Sequence, residues 1–339
     1  KNKKKIITDL DLFFLKNKVQ KSIVITGTNG KSTTCSLIHH ILKKNNIKNK
    51  LVGNIGKPIL DVKFIKKEIY IIEASSFQLE YSKFIKPYCA AILNISHDHL
   101  DWHRSKKKYV KSKFKIFINQ TKYDLAFLDD INLKKLYKKY NFLGKLKYIK
   151  NNSIQLSENK NRYLKLAANK NNIKFAYFIS KIFNVRKKAF LNSLKSFEGL
   201  AHRHEIFLKL DNYTFINDSK ATSFESTRYA LRSNDNIIWI AGGLPKKNDK
   251  IKIDEFRNKI VKAYIIGNHT NFFVKEIRKK VKYEIVHNLR TAVSKIFKIL
   301  KTKKKLTILL SPASASYDQF KNFVERGNKF KNLVNQYAK

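Results

Sequence analysis

The chain has 339 residues, 43% hydrophobic and 29% charged, enough for about two folded domains and too apolar for wholesale disorder. Lys and Arg number 72 against 25 Asp and Glu, a formal charge of +47, but only ten of the 72 are Arg and the 62 Lys are scattered over the whole length, which leaves a nucleic-acid-binding module as a minor alternative. No apolar run approaches the ~18 to 20 residues of a membrane span, no signal-peptide pattern opens the chain, and Cys35 and Cys89 are too few for a disulfide framework or a sulfur-built zinc site; a cytoplasmic protein with both cysteines used in packing is expected.

In chain order, 22–26 reads as a short buried strand, followed by a Gly-containing turn and a helical apolar period over 32–44. Apolar strands at 69–72 and 90–93 alternate with helix-compatible segments, the order of a mostly parallel sheet covered by helices. A helix is expected over 106–118, a peripheral sheet within the less regular 124–160, and a further helix over 167–182. After the break at Phe197-Glu-Gly-Leu-Ala201, strands are expected at 205–210, 213–217, 237–241, 263–266, 283–286 and 306–310. Helical segments between most of them predict a second, doubly wound α/β domain, its ligand crevice at the carboxyl ends of the strands.

Three motifs carry chemistry. Gly27-Thr-Asn-Gly-Lys-Ser-Thr33, between a strand and a helix, offers what a phosphate needs: clustered backbone N–H donors, a helix N-terminus, a lysine, and a hydroxyl for magnesium. Only two residues separate Gly27 from Gly30, unlike the common P-loop, and an ordinary capped Gly turn is the bland alternative. In Tyr70-Ile-Ile-Glu-Ala-Ser-Ser-Phe-Gln-Leu-Glu80 a strand delivers Glu73 to its carboxyl end, where it can hold a cation beside a phosphate. Asn94-Ile-Ser-His-Asp-His-Leu-Asp-Trp-His103 concentrates three His and two Asp after another strand. It misses the His-x-His-x-Asp-His spacing of dinuclear hydrolases by one residue, so His99 is taken as the functional side chain and the rest as structural.

Together these segments resemble the Mur ligase family, which joins amino acids to the peptidoglycan precursor using ATP. The likeness extends through Gly53-Asn-Ile-Gly56, Tyr109-Val-Lys-Ser-Lys113, Gly199-Leu-Ala-His-Arg-His-Glu205, Asn217-Asp-Ser-Lys-Ala-Thr222, Ala241-Gly-Gly243, Ser311-Pro-Ala-Ser-Ala-Ser-Tyr-Asp-Gln-Phe320 and Arg326-Gly327. It leans toward the family's D-glutamate-adding branch and away from folylpolyglutamate synthase, the runner-up; a noncatalytic nucleotide binder is the alternative from another class. The resemblance implies a central parallel-sheet, P-loop-like ATP-binding domain over 1–198 and a Rossmann-like amino-acid-binding domain over 199–339, in a monomer without a membrane span.

It also implies roles. Thr28, Asn29, Gly30, Lys31, Ser32 and Thr33 would cradle the ATP phosphates, with Asn171, Arg203 and Asp218 reaching the nucleotide. Lys31, Glu73, His99 and Lys113 would be catalytic, and Ser32, Glu73, His99 and Lys113 would serve two Mg2+ ions, Lys113 as a carbamate. Asn54 and Ser75 would contact the substrate UDP-N-acetylmuramoyl-L-alanine, whereas Thr222, Lys246, Ser316, Tyr317 and Phe323 would hold D-glutamate. Three departures stand out: Leu244-Pro245 before Lys246, Lys170 before Asn171, and Lys174 near the adenine position. Family members begin with a further uridine-diphosphate-binding domain of roughly ninety residues. This chain opens on Lys1 and has no Met, which reads as an incomplete chain.

Overall fold

The computed structural model describes residues 6–17, 21–96, 100–149, 161, 163–165, 169–246, 249–300 and 304–338. The chain divides into two compact units, Lys1–Glu198 and Gly199–Lys339.

In the first unit, β1 (Ser22–Thr26), β2 (Asn49–Gly53), β3 (Ile69–Glu73), β4 (Cys89–Ile92), β5 (Leu125–Leu128) and β6 (Lys145–Tyr148) form one sheet in the order β2-β3-β1-β4-β5-β6. Every pairing is parallel. β1, β3, β4 and β5 are buried at every position, which is why they read as continuous apolar runs rather than alternating ones. Within β1, Ile23 and Ile25 join a core with Cys35, Ile38 and Ile173 on one face, while Val24 joins Leu10, Phe13 and Ile72 on the other. Both cysteines are fully buried in this packing, and burial pushes the Cys89 thiol well above its ordinary range.

Four local differences from the sequence reading have physical causes. No separate peripheral sheet forms in 124–149; the wholly apolar Leu125–Leu128 pairs with β4 and extends the central sheet, with β6 outside it and 150–160 outside the described residues. On β6, Lys145 and Tyr148 are exposed and Leu146 and Lys147 half-buried. The helix expected over 106–118 is α-helical at Lys106–Phe114 and tightens to a 3-10 turn at Lys115–Phe117, so that consecutive Ile116 and Phe117 both bury. The helix expected from 167 runs over Lys170–Ile182, its first positions lying outside the described residues. An unanticipated helix, Asp9–Lys16, starts with a Thr8 capping box, and its buried Asp11 accepts the Lys83 and Phe84 backbone N–H groups at 2.8–2.9 Å.

In the second unit, β7 (Glu205–Leu210), β8 (Tyr213–Asn217), β9 (Ile237–Gly242), β10 (Ile260–Ile266), β11 (Tyr283–His287) and β12 (Leu306–Leu310) are ordered β11-β10-β9-β12-β8-β7. All pairs are parallel except the β7–β8 hairpin. Trp239, Ala263 and Leu309 pack on one face and Ile238, Tyr264 and Ile308 on the other, so the sheet is covered on both sides as expected of a doubly wound domain. No helix among the described residues is long and apolar enough to cross a membrane.

Candidate functional site

The loop after β1 is held open by its neighbours. Gly30 caps the helix Lys31–Lys44 in the left-handed region at φ 85°, and a Cβ there would stand 2.2 Å from Asn172 Oδ1; glycine is required twice over, by backbone and by space. Asn94, just past β4, brackets the loop by accepting from Asn29 N (2.9 Å) and donating to Asn29 O (3.0 Å). Thr28 Oγ1 pairs with the Tyr109 hydroxyl at 3.0 Å and accepts from Ser96 N. The first-turn amides of a helix lack intrahelical acceptors, so this start is a ready anion cradle. Lys31 Nζ donates to Gly27 O and Thr28 O at 2.8 and 2.9 Å. Ser32 and Thr33 lie buried beside it.

Glu73 ends β3 opposite Ile25 of β1, two residues before the loop. It is 1% exposed. Its Oε1 accepts from Asn54 Nδ2 at 3.0 Å, whereas Oε2 is buried with no hydrogen-bond partner among the described residues. A buried carboxylate oxygen left bare is costly, and its hard-oxygen character fits a divalent cation. Among the described residues no three His, Cys, Asp or Glu side chains converge, so a cation here would complete its shell with hydroxyl, phosphate and water oxygens. Burial and the Glu73 charge raise the Cys35 thiol pKa well above its ordinary value, opposed by Lys31.

Lys113 is 1% exposed. Its Nζ donates to Gly27 O at 2.9 Å and lies 4.5 Å from the Tyr109 ring centre, beneath the loop that Lys31 also contacts. His97, Asp98 and His99 lie outside the described residues. His103 is buried among the rings of Phe77, Trp102 and Tyr109. Asn54 touches Glu73, and Ser75 caps the helix Ser76–Tyr81 through Gln78 N; both thus have structural partners besides any substrate. Asn171 donates to Leu93 O at 3.2 Å, and its buried Oδ1 has no partner among the described residues. Asn94 and Tyr109 open motifs noted in the sequence but were given no role of their own, and Asn172 was passed over. Asn94 was legible as a strand-end Asn, but Asn172 meets Gly30 only through the fold.

In the second unit, Thr222 follows β8, Lys246 follows β9, Ser316 and Tyr317 follow β12, and Phe323 opens the last helix. Ser316 is buried, Thr222 and Phe323 are half-buried, and Lys246 and Tyr317 are exposed. The Phe323 carbonyl accepts from Ser219 Oγ at 2.8 Å, and Lys220 Nζ lies 3.8 Å from its ring centre. Arg203, half-buried, closes a turn through its N–H to Leu200 O. Asp218 is buried, accepting from Ser311 Oγ at 2.7 Å and His204 N at 3.0 Å.

Burial raises the Asp218 pKa from 3.8 to about 7, against the pull of those hydrogen bonds, Arg203 and Arg326. A raised carboxylate contributes stability that is complete below pH 3.8 and is lost as pH rises through about 7. Relative to Asp218→Asn, the wild type is therefore expected to lose on the order of 4 kcal/mol between those limits. Paired urea titrations from pH 4 to 8 check this; a pH-independent difference contradicts it.

The chain matches the Mur ligase middle domain over residues 25–192. It is 37% identical to the UDP-N-acetylmuramoylalanine–D-glutamate ligase of Rickettsia prowazekii (strain Madrid E), over 98% of this chain and 80% of that protein. It is 34% identical to the enzyme of the same name from Wolbachia pipientis wMel, over 96% and 79%. The fold is similar to MurF from Acinetobacter baumannii (TM-score 0.72, 14% identity, 97% of this chain and 79% of that one). It is also similar to E. coli FolC in complex with DHPP and ADP (TM-score 0.70, 13% identity, 98% and 94%). With its phosphate loop, its two α/β units and an identity of 37% over nearly its whole length, the chain belongs to the Mur ligase family of ATP-dependent ligases.

Proposed function

We propose that this ligase adds D-glutamate to UDP-N-acetylmuramoyl-L-alanine, phosphorylating the alanine carboxylate with ATP and passing the acyl group to the glutamate amine. The observation that carries the chemistry is the buried Glu73 Oε2, without a hydrogen-bond partner among the described residues and one strand from the phosphate loop; the choice of amino acid is supported by relatives named for it, among them those at 37% and 34% identity.

In this reading Lys1–Glu198 binds ATP and Gly199–Lys339 binds the amino acid. The loop amides and Lys31 receive the β- and γ-phosphates, Lys31 leaving the Gly27 and Thr28 carbonyls to do so. Ser32, Glu73 and carbamylated Lys113, with His99, would hold magnesium, which neutralises charge on the transferred phosphoryl group. Asn54 fixes the Glu73 carboxylate through one oxygen and leaves the other for the cation. The carboxylate of the alanine substrate attacks the γ-phosphorus and ADP leaves. The neutral amine of glutamate then attacks the acyl carbon, and as the tetrahedral intermediate collapses to the amide its C–O bond to phosphate breaks and the departing phosphate takes up the amine proton. Arg203, Asp218 and Asn171 reach the nucleotide, and Thr222, Lys246, Ser316, Tyr317 and Phe323 receive the two glutamate carboxylates. The protein acts in the cytoplasm as a monomer.

The test is ADP release by the purified chain with ATP, magnesium, bicarbonate, UDP-N-acetylmuramoyl-L-alanine and D-glutamate, each omitted in turn. Turnover needing both the UDP precursor and D-glutamate is expected. ADP release indifferent to both, or a demand for another amino acid, contradicts the reading.

A further inference from the structure

The helix Phe323–Tyr337 opens with a buried cation. Arg326 is 1% exposed, and all five of its N–H donors go to neutral oxygens. Nε donates to Ser219 Oγ at 3.1 Å; Nη2 to Ser219 O at 2.9 Å and Ser314 O at 3.0 Å; Nη1 to Ala315 O at 3.3 Å and Gly242 O at 3.5 Å. These acceptors lie at or just past the ends of β8, β9 and β12, three neighbouring strands. One planar fork therefore braces three loops at the edge where a doubly wound sheet keeps its ligand.

The surrounding sequence is shaped to admit it. A Cβ on Gly243 would stand 3.1 Å from Arg326 Nη1 and 2.3 Å from Ala315 O, and one on Gly327 would stand 2.3 Å from His202 Nδ1. The five bonds satisfy the donors but leave the charge. Asp218 and Asp318 act on the guanidinium through space, while Asp218 bonds to Ser311 and His204, and Asp318 accepts from Asn268 N. Burial lowers its pKa only to about 10, so the cation persists at neutral pH. It lies against the backbone that presents Ser316 and Tyr317, and one turn from Phe323.

We propose that Arg326 is a positioning residue for acidic amino-acid selection: it fixes the three loops, and its buried charge favours a dicarboxylate over a neutral analogue at the strand ends. This rests on the reading of the second unit as an acidic amino-acid site. A strut alone would give the first effect without the second, because neutral hydrogen bonds carry no preference for substrate charge.

The experiment uses the full chain with Arg326→Met, which removes the charge, and Arg326→Lys, which keeps it without the fork. KM values for D-glutamate, ATP and the UDP precursor are measured, with the preference for D-glutamate over D-glutamine and thermal denaturation of each variant. Arg326→Met is expected to raise the D-glutamate KM and lower the preference by about tenfold or more, with the ATP KM within about twofold. Arg326→Lys should retain the preference while kcat falls. An unchanged preference in Arg326→Met, three KM values rising together, or failure of both variants to fold makes Arg326 a strut and overturns the proposal. A wild type that uses a different acidic amino acid refutes the D-glutamate reading, and the comparison is then made with that amino acid. A wild type that accepts no acidic amino acid refutes both.

Discussion

Replacing Lys31 by Met is expected to lower the ligation rate by on the order of a thousandfold with little change in melting temperature. Met keeps the length and most of the apolar stem of a half-buried side chain, while removing an ammonium that, among the described residues, donates to the carbonyls of Gly27 and Thr28. Those contacts are local, i−4 and i−3, and the loop keeps its other supports at Asn94, Tyr109 and Gly30. The loss should therefore fall on charge stabilisation in phosphoryl transfer rather than on folding. Single-turnover ADP formation separates the two, since the rate should fall much further than ATP affinity. A loss below about tenfold removes Lys31 from the chemistry.

The second large effect concerns Lys113. Buried beneath the loop and donating to Gly27 O, the amine as it stands offers an N–H donor beside a proposed cation site. Carbon dioxide would turn it into an anionic oxygen ligand. Lys113→Arg conserves the charge and excludes the carbamate, so it should be nearly as inactive as Lys113→Ala, both down by on the order of a hundredfold or more. Wild-type activity should fall when bicarbonate is stripped at mildly acidic pH and recover on its return, whereas Lys113→Arg should respond to neither. An active arginine variant, or a wild type indifferent to bicarbonate, rejects the carbamate.

The parallel cores were legible because β1, β3, β4 and β9 are buried on both faces and so had to be written in apolar residues. The edge strands of the first sheet were less so: Asn49–Gly53 and Lys145–Tyr148 mix Lys and Asn with apolar residues at half-buried or exposed positions, whereas β7 and β11, the edges of the second sheet, kept enough apolar residues to be expected from sequence. The phosphate loop was readable for a similar reason, since its donors, lysine and hydroxyl come from one short stretch of chain. Glu73 could be placed at a strand end, but its Asn54 partner and bare second oxygen are products of three strands meeting. Arg326 is the clearest case: the resemblance singles out Arg326-Gly327 but gives it no role, and its acceptors span residues 219 to 315, far from it in sequence. Contacts over such separations leave no local periodicity to read.

The outer position of β6 has a consequence for crowding. Among the described residues no strand pairs with its outer side, where backbone donors and acceptors could be continued by another extended chain. Lys145 and Lys147 alternate along this short rim, so a second copy arriving in register would stack ammonium on ammonium at the ~5 Å strand spacing. In a chain of formal charge +47, that repulsion acts before any apolar contact forms. The lysines that disguise this strand in the sequence thus oppose continuation of the sheet by a second copy in register.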